Sequence, residues 1–164
     1  MAEKKDTNIT VIELSESSNL ALPDFMVNEQ KQALQNLIAS NHFQPLNDNN
    51  GPYSLRLSIE ENRLVMRVRN SDSKDLNMLV LSLKPYKRLI QDYFLMLNSY
   101  EQARKTATRE KLEAIDMGRR GIHNEGAELF AARLKDKIEM DHETARKFFT
   151  LICVLHKTHI RLIS

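Results

Sequence analysis

Two stretches of alternating polar and apolar residues, Tyr53 to Ile59 and Arg63 to Arg69, are separated by little more than Glu61-Asn62. A period of two belongs to strands, and a two-residue connection is short enough to force a hairpin. Closed at Glu61-Asn62, the hairpin pairs Ile59 with Leu64, Leu57 with Met66 and Leu55 with Val68 on one face. Its other face then sets Ser54, Arg56, Ser58 and Glu60 against Arg69, Arg67, Val65 and Arg63. Leu79, Leu81 and Leu83 predict a third strand, with Met78 and Val80 on a second apolar face, so this strand is expected to be covered on both sides.

The rest of the chain reads mainly as helix. After a short strand at Ile9 to Leu14, Phe25, Ala33, Leu34, Leu37 and Ile38 recur at near-helical spacing within Asp24 to Ser40. Pro85 suits a first helical turn, and Tyr86, Leu89, Ile90, Tyr93, Phe94, Leu97 and Tyr100 form a broad stripe, which places that helix at the centre of the core. Thr108 is positioned to cap a further helix, and Asp141 the last one, where Ala145, Phe148, Phe149, Ile152 and Leu155 recur at three and four. Loops are expected at Ser15 to Asn19, Asn47 to Pro52 and Asn70 to Asn77. The expected class is α+β, an antiparallel sheet of three to four strands packed against four or five helices.

With 164 residues the chain has the length of one domain, and we expect a single unit over 1–164 with residues 1–8 disordered. Its net charge of +2 is small, but the sign is uneven: residues 1–30 carry −4 and residues 84–123 carry +4. Cys153 is the only cysteine, in an apolar run that predicts a buried thiol and excludes an intramolecular disulfide. The N-terminal residues lack a signal core, and no apolar run approaches the ~18 residues of a membrane span. A cytoplasmic protein is expected.

Three of the four glycines, Gly118, Gly121 and Gly126, fall in the run Asp116 to Gly126. Within a helix each costs about 1 kcal/mol relative to alanine, so the segment must gain something from them. One geometry ends a helix at Gly118 and caps another with Asn124. Free backbone amides there, with Arg119, Arg120, Gly121, His123, Asn124 and Glu125, would form an anion site. The other keeps the helix unbroken to about Lys137 and aligns Gly118, Ile122 and Gly126 as a smooth face for a neighbouring helix or a second copy. The broken helix is preferred, because glycines in soluble proteins punctuate more often than they pack.

His123 lies beside both a guanidinium and a carboxylate in sequence, which makes it the best candidate acid or base, with Glu125 or Glu128 orienting it. The plain alternative is that Arg119, Arg120, His123 and Glu125 form a structural ion-pair and capping network. His42 and His159 have no supporting context, His156 reads equally as a helix-terminal cation, no pair of histidines is spaced like a metal site, and neither metal nor cofactor is expected. A second basic face is predicted on the hairpin at Arg56, Arg63, Arg67 and Arg69, where Arg56 opposite Arg67 is unfavourable unless an acidic group neutralises it. An acidic N-terminal segment is the mundane neutraliser; a sugar-phosphate backbone is the other, with no interleaved aromatics to stack on bases.

The blocks Gly51 to Glu60, Leu81 to Tyr86, Glu113 to Gly126 and Leu151 to His156 resemble an uncharacterised family of small bacterial proteins, number 0262 in the uncharacterised series. The resemblance runs from about Pro45 to His156 and implies a bacterial cytosolic protein. It brings no activity, cofactor or catalytic residue. From the residues themselves we expect a small regulatory module that binds an anion or a partner at Gly118 to Gly126. The guest would be a nucleotide, an RNA phosphate or a carboxylate on an acidic protein. The competing expectations are a metal-independent phosphoester or phosphodiester hydrolase using His123, and a homo-oligomeric interaction protein.

Overall fold

The computed structural model describes residues 6–14 and 24–163, without the side chains of 24–26 and 158–163. The loop expected at Ser15 to Asn19 and the side chains of Phe25 and His159 lie outside the described residues. The order is β1 (Ile9–Leu14), α1 (Asp24–Ala39), β2 (Phe43–Pro45), β3 (Tyr53–Glu60), β4 (Arg63–Arg69) and β5 (Leu79–Ser82). A 3₁₀ turn at Lys84–Tyr86 then leads into α2 (Lys87–Ala103), followed by α3 (Arg109–Leu134), β6 (Ile138–Met140) and α4 (His142–Ile163). The class is α+β, as the periodicities predict.

The β3–β4 hairpin has the register read from the alternation, including Arg56 opposite Arg67. Glu61 and Asn62 take φ values of 52° and 59°, the left-handed pair that a two-residue hairpin turn demands. The sheet order is β1-β3-β4-β5, and β1 runs parallel to β3. The sheet is thus mostly antiparallel with one parallel edge, because α1 carries the chain back across the layer between β1 and β3. Two short strands escaped the sequence reading: β2 and β6 pair antiparallel in a separate small sheet.

One face of the main sheet is filled by Leu55, Leu57, Ile59, Leu64, Met66, Val68, Leu79 and Leu81, all buried. The other is not covered as expected at β5, where Met78 and Val80 are 48% and 44% exposed. Residues 6–8, expected to be disordered, are tied in: the carbonyls of Thr7 and Asn8 accept hydrogen bonds from the amides of Phe43 and Tyr53. The Asn41 side chain accepts from the Ile9 amide at 2.7 Å and donates to the carbonyls of Ile9 and Leu37, so it extends β1 and closes α1 together.

The central helix is α4 rather than α2. Phe148, Phe149 and the run Leu151 to Leu155 are all buried, and an apolar surface on every side is the mark of an enclosed helix. It packs against α1, α3 and β3, while α2 packs on α3. The Asp141 carboxylate accepts from the Thr144 amide at 2.9 Å and caps α4, as its position predicts. Cys153 is a free, buried thiol.

Candidate functional site

The helix does not break at the glycines. α3 runs for 26 residues from its Thr108 cap to Leu134, so the amides near position 120 belong to its internal ladder and no helix begins at Asn124. The preference for a broken helix is therefore overturned, and with it the cradle of bare amides. The physical reason is packing. A Cβ at Gly118 would lie 2.7 Å from Met96 Cε of α2, and one at Gly126 would collide with the ring of Phe149 of α4. Both glycines let another helix of the same chain approach. Gly121 meets nothing within 4 Å.

Continuous helix geometry distributes the expected site residues around α3. Arg120 leaves on an exposed side, its Nε 3.1 Å from Asp116 Oδ2, toward a recess lined by Arg109, Glu113 and Met117. Asn124 Oδ1 lies 3.2 Å from His142 Nε2, and Glu125 pairs with Arg88 at 3.0 Å. Arg119 and His123 share a different concavity, a groove of about 430 Å³ between α1, α2, α3 and α4. Sequence reasoning missed the rest of it. Arg146, Lys147 and Thr150 come from α4, Tyr93 from α2, and Glu29, Gln32 and Asn36 from α1. The available signal was polar residues interrupting the α4 stripe at spacing three and four.

Within the groove Arg119 gives one terminal nitrogen to Asp116 at 3.2 Å and sits over the Tyr100 ring at 5.9 Å. Arg146 pairs with Glu143 at 3.1 Å. Each guanidinium also carries an Nε–H that is shielded from solvent and has no hydrogen-bond partner among the described residues. Such a donor costs roughly 1–3 kcal/mol for as long as it stays unpaired. Lys147 Nζ donates to the Ser40 carbonyl at 2.7 Å, and the Tyr93 hydroxyl donates to Glu29 at 2.7 Å.

His123 lies at the back of this array. Its ring packs against Tyr93 and Phe149, with centroids at 5.4 and 6.1 Å, and its Nε2 is 3.5 Å from the Thr150 hydroxyl oxygen. Burial, then the charges of Arg146 and Arg119, push its pKa down to about 4, against the opposing pull of Asp116. The imidazole is neutral at pH 7. Burial, with Glu29 beside it, pushes the Tyr93 hydroxyl well above its usual range. Among the described residues, no group of three His, Cys, Asp or Glu side chains is placed to hold a metal ion.

The second basic face is neutralised from within. Glu13 of β1 pairs with Arg56 at 3.1 Å, Glu60 approaches Arg67 at 4.0 Å, and Asp75 pairs with Arg69 at 2.9 Å. The acidic partner of Arg56 is thus from the N-terminal segment. Arg63 stands opposite Glu60 in the hairpin register and Ser82 in the next.

Residues 6–158 match the uncharacterised protein family UPF0262, a span that includes every residue lining the groove. The chain belongs to this family. A UPF0262 protein of Brucella canis is 45% identical over 156 residues, covering 94% of this chain and 97% of that one. The family protein of Brucella anthropi is 47% identical over 146 residues, covering 88% and 91%. No solved structure matches the chain. Among the described residues no helix is long and apolar enough to cross a membrane.

Proposed function

We propose that this UPF0262 member is a small anion-binding module whose site is the groove between the four helices. The observation that carries the reading is the pair Arg119 and Arg146. They come from different helices, border one concavity, and each keeps a shielded Nε–H unsatisfied by the protein. Asp116 and Glu143 each hold one terminal nitrogen, which fixes the side chain while engaging only part of a guanidinium's five donors. The buried aromatic ring of Tyr93 offers no exposed face to a nucleobase, so the reading favours a small oxyanion group over a nucleic-acid strand.

A hydrolase with His123 as proton donor is less well supported, because in the protein without ligand that imidazole is in its neutral form at pH 7, a poor general acid. The oligomer reading loses its motive too, since the glycine face is occupied by Met96 and Phe149 of the same chain. The test is calorimetric titration with inorganic phosphate at constant ionic strength. Binding that is lost in Arg119→Ala and in Arg146→Ala, yet kept in Arg120→Ala, is the expected result. Equal loss in all three, or no heat with the folded wild type, would overturn the reading.

A further inference from the structure

Resting on that reading, we infer that the groove binds a tetrahedral dianion, a phosphoryl or sulfuryl group, and takes up a proton on His123 as it does so. The donors argue for the shape. A planar carboxylate is satisfied by one guanidinium in the two-pronged arrangement, whereas here Arg119, Arg146 and His123 border the site from two helices, beside the Thr150 hydroxyl, which donates its proton to the Arg146 carbonyl at 3.2 Å. Three donor side chains approaching from several directions suit the oxygens spread around a tetrahedral centre better than the two of a planar group.

The charges argue for the proton. The groups facing His123 are Asp116 and Arg119 on its own helix, Arg146 and Thr150 on α4, and Tyr93 on α2, whose hydroxyl holds Glu29 of α1. Glu143 is engaged by Arg146 and Lys147 by the Ser40 carbonyl. Two guanidinium charges oppose a third positive charge on the imidazole. A dianion placed among them cancels that opposition and gives the imidazole Nε2 an acceptor, so ligand and proton each favour the other. By linkage, affinity must then rise as pH falls toward the imidazole's bound-state pKa.

Sulfate is the probe for the proton, because it stays dianionic over the range used. Wild-type protein is expected to bind sulfate about tenfold more tightly at pH 5.5 than at pH 7.5, taking a bound imidazole that titrates near its ordinary value of about 6.5. His123→Gln should bind equally at both. The ring resonances of His123 in the wild type, followed by NMR with and without sulfate, give the same answer with no substitution: the titration must move upward when sulfate is present.

Sulfate binding that is lost in Arg119→Ala but indifferent to pH would overturn the coupling and leave the anion site standing. Binding of neither sulfate nor phosphate would overturn both. Acetate binding as tightly as sulfate would overturn the tetrahedral preference. Inorganic phosphate against glycerol 3-phosphate at pH 7.5 separates the sources. Tighter binding of the ester supports a phosphoryl group carried on a larger polar molecule that reaches Gln32 and Asn36, and equal or weaker binding supports the free anion.

Discussion

Gly126 of α3 lies so close to the ring of Phe149 on α4 that the glycine's missing Cβ is the space the ring occupies. Phe149 is buried, and its ring also meets Tyr93 and His123. One small residue therefore sets the separation of α3 and α4 and, through it, where His123 stands relative to Arg146.

Substituting the glycines should give different results along one helix. In Gly126→Ala the added methyl must displace a ring enclosed on all sides, at about 1–3 kcal/mol, which outweighs or cancels the roughly 1 kcal/mol alanine gains in helix propensity. Gly121→Ala meets open space and should stabilise by about 0.5–1 kcal/mol. Gly118→Ala presses only on the flexible end of Met96 and should fall between them. Urea unfolding midpoints at pH 7 check the order. A destabilised Gly121→Ala would contradict the account of α3.

The sequence showed some parts clearly for definite reasons. The hairpin register was legible because a slip of one residue would turn Leu55, Leu57 and Ile59 to solvent. The caps at Thr108 and Asp141 were legible because a side-chain oxygen before a helical stripe has a local job. The continuity of α3 was not, because a glycine chosen for closeness to Phe149 has the same letter as one chosen for a turn. The groove was half legible. Arg119 and His123 share a helix and were found together, while Arg146 and Thr150 lie more than twenty residues further on and meet them only through α3–α4 packing. β2 and β6 were hidden by their length of three residues each and by pairing partners nearly a hundred residues apart.

The turn between β3 and β4 offers a stabilising change. Glu61 takes a left-handed backbone conformation that costs most side chains about 1–2 kcal/mol, and asparagine tolerates it far better. Glu61→Asn should raise stability by about 0.5–1 kcal/mol, whereas Asn62→Val should lower it by about 1–2 kcal/mol, since a β-branched residue fits the φ of 59° poorly. Thermal unfolding of both variants tests this. No difference between them would mean that the turn relaxes at no cost.

Acid should destabilise the fold through His123 in a window set by its two titrations. At pH 7 the folded imidazole is neutral and the unfolded one is only about a quarter protonated, so its contribution to pH dependence there is small. Below about 6.5 the unfolded chain takes a proton that the folded chain refuses until about pH 4, because burial and the charges of Arg146 and Arg119 oppose it. The unfolded state then binds more protons, and stability falls with pH across that window by up to about 3 kcal/mol. Asp48 and Asp141 act elsewhere. Burial raises each carboxyl, but hydrogen bonds outweigh it and leave both below 3.8, so their losses come at lower pH. Denaturant unfolding of the wild type and of His123→Phe from pH 7 to 4.5 isolates the effect, since phenylalanine keeps an aromatic ring against Tyr93 and Phe149 and removes the titration. The wild type should lose stability more steeply, by roughly 1.4 kcal/mol per pH unit at most. Parallel curves would mean that His123 takes its proton as readily in the folded chain as in the unfolded one, and that the charges around the groove do not oppose it.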